Sequence, residues 1–171
     1  LREANLEAAD LTHAILDGAH LAGARLKLAF LPGARLTRAR LSGAKLGGAT
    51  LSAADLTQAD LSTADLSGAD LGASRLADPA PAAARLAGAD LSGALLAGAN
   101  LRGVDLREAT LTKAVLVGAD LGWADLTRAR ARGADLSEAS LAWARAYGAD
   151  LGSANLRRAS LPGAQLVGAN L

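Results

Sequence analysis

A leucine recurs at every fifth position of this chain, from Leu1 to Leu171, and that spacing decides which backbones are open to it. Of the 35 positions in the series 32 are Leu, and the exceptions are Pro81, Ala131 and Ala146. The position two before each is equally disciplined: of its 34 members 31 are Ala, with Ser74, Pro79 and Val104 departing. No insertion or deletion breaks the five-residue phase. On an α-helix five steps advance a side chain by roughly 140°, so the leucines would spiral over the whole surface and leave no core-facing stripe. In a continuous strand an odd period sends successive leucines to opposite faces. A backbone that turns once per repeat avoids both problems, because each turn re-aims the next Leu inward. The expected fold is therefore an all-β solenoid, although Ala and Leu are individually good helix formers.

Glycine marks the turns. All 19 glycines lie at the two places after the Leu slot: Gly47, Gly72, Gly122 and Gly152 directly after it, and the other fifteen, such as Gly18, Gly68 and Gly148, at the next place. These are the central residues of a β-turn, and the second of them needs positive φ in a type II turn.

Segments such as Ala54-Asp55-Leu56, Ala64-Asp65-Leu66-Ser67-Gly68 and Ala99-Asn100-Leu101-Arg102-Gly103 carry an A-(D/N)-L-x-x motif. In this the chain resembles the pentapeptide-repeat proteins, and the resemblance covers residues 1–171 as a single solenoid with a local irregularity at 78–84. It implies a right-handed quadrilateral β-helix with four repeats per square coil, hence about eight and a half coils and a rod of roughly 40 Å at a spacing of about 4.8 Å. One departure from the motif is the slot before Leu, which is often basic here, as at Arg25, Arg35, Arg40, Lys45, Arg75, Arg85, Arg130 and Arg145.

Four repeats per coil stack residues twenty apart. One column then reads Lys45, Asp65, Arg85, Asp105, Asp125, Arg145, and another Arg35, Asp55, Arg75. Further pairs are Glu108 over Arg128, Glu138 over Arg158 and Arg130 over Asp150. Opposite charges stacked in this way are mildly favourable, by a few tenths to about 1 kcal/mol each. Arg25 over Lys45 is an exception. Pro79-Ala80-Pro81 puts proline into both inward slots of one repeat and removes two backbone donors, which reads as a local dent. Ala131 and Ala146, in place of inward leucines, are expected to leave small voids.

Little here supports catalysis. The chain has no Cys, which excludes disulfides and thiol chemistry, and its net charge of +1 gives no global field for capturing nucleic acid or an anionic membrane. Arg128, Arg130 and Arg132 form a short basic run, but Asp125, Asp135 and Asp150 lie close by, so a nucleic-acid partner is not expected. His13 and His20 sit in outward slots with no evident third metal ligand. Ser and Thr occupy turn positions with no His–acid partner arranged to activate them. Asp55, Asp60, Asp65 and Asp70 ring one coil and point to different sides, so they form no shared carboxylate site. No enzyme activity, cofactor or metal is expected. No apolar run reaches the eighteen or so residues of a membrane span. The cytoplasm is the favoured location. Leu1 already stands in repeat register, so the natural beginning is expected to lie upstream.

The strongest candidate surface comes late in the chain. Trp123 and Trp143 are twenty apart and should stack at one corner, with Arg145 and Tyr147 on the adjoining side, where Arg107 and Arg128 also map. Outward tryptophans have no core role in such a solenoid, and Trp, Tyr and Arg are the residue types enriched at binding hot spots. The bland alternative is surface stacking and cation–π contact. A weaker aliphatic patch is Leu95, Val115 and Val117. The leading reading is a non-catalytic scaffold for a protein partner. The alternative, implied by the resemblance, is a DNA-mimicking protein that binds DNA gyrase or topoisomerase IV and confers fluoroquinolone or gyrase-poison resistance. An active domain outside this segment stands as a third class. End-to-end or homodimeric association is expected from coil ends without obvious caps.

Overall fold

The computed structural model describes residues 1–73 and 82–171. Almost every described repeat runs through the same cycle: an inward Leu, two turn residues, an inward Ala, and an outward residue bridged to its neighbours. The Ala N–H closes each turn on the Leu carbonyl three residues back, as from Ala44 to Leu41 at 2.9 Å. The second turn residue takes a positive φ, fifteen times as Gly and sixteen times as another residue, Trp123 at 62° and Trp143 at 61° among them. This is the type II pattern. A side chain there costs about 1 kcal/mol, and the residue's N–H, Gly or not, donates to the next coil, as Trp123 does to the Ala142 carbonyl at 2.9 Å.

Coils are joined by two further bonds per repeat. Leu46 N–H donates to the Asp65 carbonyl at 2.6 Å, and Asp65 N–H donates back to Ala44 at 2.9 Å. The bridges are single-residue and parallel, and they sort into four columns of eight residues, one per face of the rod. The first face runs from Asn5 to Asn155, the second from Asp10 to Ser160, the third from Ile15 to Gln165 and the fourth from His20 to Asn170.

One backbone donor per repeat is left over, the N–H of the residue after Leu. An Asp or Asn in the bridged slot caps it: Ser62 N–H donates to Asp60 Oδ1 at 3.0 Å and Thr127 N–H to Asp125 Oδ1 at 3.0 Å. That is an Asx-turn, and it is why the motif places Asp or Asn before Leu. Where the slot is Arg35, Asp17 of the preceding coil reaches across and accepts from Thr37 N–H at 3.0 Å. Pro32 and Pro162 fall at this same position, where no ladder bond is lost.

The bridge spacing corrects two expectations. It is twenty residues up to Thr50–Asp70, then thirty for Asp55–Arg85, Asp60–Asp90, Asp65–Leu95 and Asp70–Asn100, then twenty again. Asp65 therefore stacks on Leu95 and not on Arg85, and the column that starts at Arg35 and Asp55 continues to Arg85. Asp55 is thus bridged to Arg85, and the Arg75 expected there lies outside the described residues. Among the described residues each column holds eight residues. The cause of the longer spacing lies at one corner, where the Ala84 N–H bonds to the Leu71 carbonyl at 2.7 Å and takes the place of a residue ten earlier. Five-residue phase survives because the extra length is two whole repeats. The dent expected at Pro79-Ala80-Pro81 falls on residues outside the description, and the inward pattern is back at Ala84 and Leu86.

Inside, the described members of the Leu and Ala columns from Leu21 to Leu71 and from Ala84 to Leu151 are closed to solvent at 0–2% exposure. Ala131 and Ala146 are as buried as the leucines they replace. Inward residues of the first and last tiers, Leu6 and Leu161 for instance, are only partly covered.

Candidate partner-binding surface

The corner between the second and third faces carries the tryptophans. Side chains at its positive-φ position lean along the rod axis toward the next coil. His13 lies over Gly33, and Trp143 lies over Gly163, where an added Cβ would fall 2.4 Å from the indole. Trp123 in turn stacks on Trp143, with ring centroids 5.6 Å apart and planes 17° from parallel. Each indole is still 53% exposed. Gly103, one tier before Trp123, leaves a step beside the stack.

The third face borders this corner with Asp105, Asp125, Arg145 and Gln165 in one column. Arg145 pairs with Asp125 at 3.2 Å, and Arg107 donates to both oxygens of Asp105 at 2.8 Å. The Arg107 hydrogen bonds hold the Asp105 carboxyl below its ordinary pKa, against the opposing effect of partial burial. The Tyr147 hydroxyl donates to Gln165 Oε1. Two shallow clefts result, one lined by Gly103, Asp105, Arg107, Trp123, Asp125 and Arg145, the other by Trp123, Trp143, Arg145 and Gln165.

Of the six residues singled out from the sequence, Trp123, Trp143, Arg145 and Arg107 line these clefts, and Tyr147 joins them through Gln165. Arg128 does not: it sits at the next corner, between the third and fourth faces, 3.8 Å from Glu108. Gln165, Asp105 and Asp125 were not among the six, although the twenty-residue column through Arg145 contains them. Leu95 and Val115 are bridged on the first face. Leu28 and Phe30, at 59% and 50% exposure, form a separate apolar spot that the sequence reading passed over. Among the described residues there is no group of three or more His, Cys, Asp or Glu side chains able to hold a metal ion. Among the described residues there is no helix long and apolar enough to cross a membrane.

The family profile described as pentapeptide repeats (8 copies) matches residues 4–43, 34–72, 84–122, 105–142, 114–152 and 134–171. This chain belongs to the pentapeptide-repeat family. The matched stretches leave out 73–83, where the bridge spacing lengthens. Among solved structures, HetL, a pentapeptide repeat protein involved in heterocyst differentiation regulation from the cyanobacterium Nostoc sp. strain PCC 7120, is 33% identical; the match covers 99% of this chain and 87% of HetL, with a TM-score of 0.41. A thylakoid-lumen pentapeptide repeat protein from Arabidopsis thaliana is 30% identical over 64% of this chain and 63% of its own, with a TM-score of 0.38. A trypsin-treated variant of QnrB1, a plasmid-mediated fluoroquinolone resistance protein, is 20% identical over 95% of this chain and 86% of its own, with a TM-score of 0.50. The family's members are right-handed β-helices, the architecture to which four columns of parallel bridges correspond. Among curated proteins none matches this chain.

Proposed function

We propose that this protein is a non-catalytic interaction scaffold that receives a protein partner at the Trp123–Trp143 corner. The observation that carries the reading is an indole stack half open to solvent, beside a column of charged and amide side chains already fixed by their own hydrogen bonds. A stack held this way is pre-organised, so a partner's apolar side chain can bury it with little further loss of side-chain freedom. Trp and Arg at the centre of a contact dominate its energy. The test compares the intact chain with Trp143→Ala as baits for cross-linking in extracts of the source cells. A protein captured by the parent and by Phe30→Ala, but not by Trp143→Ala, supports the reading; equal capture by all three contradicts it.

The second reading is the gyrase-binding, quinolone-protecting role, motivated by the likeness to QnrB1. A DNA mimic needs a strongly negative surface, and here Asp55, Asp60, Asp65 and Asp70 supply one acidic belt on a rod whose net charge is +1. A supercoiling assay with gyrase and a fluoroquinolone separates the two readings. Restored supercoiling at micromolar protein favours the second, and no effect removes it.

A further inference from the structure

The fourth face is charge-complementary to itself when reversed. In tier order its column begins His20, Arg40, Asp60, Asp90 and continues Thr110, Arg130, Asp150, Asn170. Consider a second copy turned by half a revolution about an axis lying in this face, across the rod, between Asp90 and Thr110. First tier then meets eighth, second meets seventh, and so on inward. Arg40 meets Asp150 of the second copy, Asp60 meets its Arg130, Asp90 meets its Thr110, and His20 meets its Asn170. Each contact occurs twice, as a twofold interface requires. The flanking corners add no like-charge clash: Arg38 meets Gly148, Gln58 meets Arg128, and Glu108 meets Gly88. The third face fails the same operation, which sets Arg35 against Arg145 and Asp55 against Asp125.

A second observation separates these faces. On the third, every slot arginine is engaged within the chain: Arg35 by Asp17, Arg85 by Asp55, Arg145 by Asp125. On the fourth, neither the Arg40 nor the Arg130 guanidinium makes an ion pair or hydrogen bond among the described residues, although the ladder seats Arg40 beside Asp60 and Arg130 beside Asp150. The Asp150 carboxylate accepts from Gly152 N–H and the Asn170 amide and pairs with Arg132 at 3.6 Å, so that Arg40 of a second copy would share it, while Asp60 spends only its Oδ1, on Ser62. Among the described residues two exposed guanidiniums thus remain without a partner along one flat side, and Asp60 keeps its Oδ2 uncommitted.

We propose that two copies of this chain associate antiparallel through their fourth faces. The tryptophan corner does not border that face, so the dimer displays two indole stacks related by the twofold axis. The proposal is independent of what those stacks bind.

Sedimentation velocity on the intact chain tests it. A reversible dimer is expected at low salt, with the dissociation constant rising at least about tenfold between about 50 mM and about 500 mM salt as the pairs are screened. Arg130→Asp, an exposed position outside the core, sets carboxylate against carboxylate twice and should weaken the dimer at least about tenfold. Combining it with Asp60→Arg exchanges the charges and should restore association, whereas Arg145→Asp on the third face should leave it unchanged. A monomer at low salt, open-ended growth in place of a dimer, an exchange variant no tighter than Arg130→Asp alone, or an equal loss from Arg145→Asp would each overturn the proposal.

Discussion

The Trp123 indole rests on the Trp143 indole, 5.6 Å between centroids and 17° from parallel, with the lower ring seated on Gly163. Both tryptophans hold a positive φ that an ordinary side chain resists. Stacking is the compensation. A double-mutant cycle with Trp123→Ala and Trp143→Ala should give a coupling of about 0.5–1.5 kcal/mol in chemical unfolding. Trp123→Gly should cost less stability than Trp123→Ala, since glycine releases the left-handed penalty while losing the same contact.

Gly163 and Gly118 share a turn position and a φ of 66°, but an added Cβ meets Trp143 at the first and open space at the second. Gly118→Ala should cost only the conformational penalty, about 1 kcal/mol. Gly163→Ala should cost visibly more and shift the near-ultraviolet dichroism of the tryptophans, because the indole must leave its seat.

Removing residues 74–83 would join Ala73 to Ala84 and leave Leu71-Gly72-Ala73-Ala84-Arg85-Leu86, an uninterrupted repeat. The Ala84–Leu71 hydrogen bond already spans this corner. The shortened chain should fold with a thermal midpoint no lower than the parent's, and a structure of it should show twenty-residue spacing throughout. A collapse of cooperative unfolding would contradict this.

Acid should loosen the turns. Hydrogen bonds from Thr12 to Asp10, Thr37 to Asp17, Arg107 to Asp105, Ser137 to Asp135 and Asn170 to Asp150 lower these carboxyl pKa values from their ordinary range. A carboxyl whose folded pKa is depressed stabilises the fold at pH above its unfolded value, near 4, and that contribution is lost as pH falls through the folded value. The thermal midpoint should be flat from about pH 7 to about pH 5 and drop below about pH 4. Asp135→Asn should drop less on acidification than the parent.

The fold was legible because one inward Leu and one inward Ala per five residues admit no helix or continuous strand. The corners were legible because glycine collects there. The lengthened step was not, since adding two whole repeats at Ala73–Ala84 leaves the five-residue phase intact and changes only which residues lie one coil apart. That alone misplaced Asp65 over Arg85. The Trp123–Trp143 stack was readable because it lies wholly after the break, where twenty-residue spacing holds. Ion-pair partners were half readable: Arg128–Glu108, Arg145–Asp125 and Arg158–Glu138 follow the columns. Arg35 and Arg25, by contrast, turn to Asp17 and Glu7, eighteen residues back, because a long side chain can reach the neighbouring corner as easily as the residue stacked upon it.

The central claim is a four-sided ladder whose spacing lengthens once, and the absence of native Cys makes disulfide trapping its most direct test. Bridged residues lie about 4.8 Å apart, within the Cα range of a disulfide. Under mild oxidation, Asp65→Cys with Leu95→Cys should cross-link rapidly, and Asp65→Cys with Arg85→Cys should not. Rapid closure of the second pair with none of the first would contradict the architecture described for this chain.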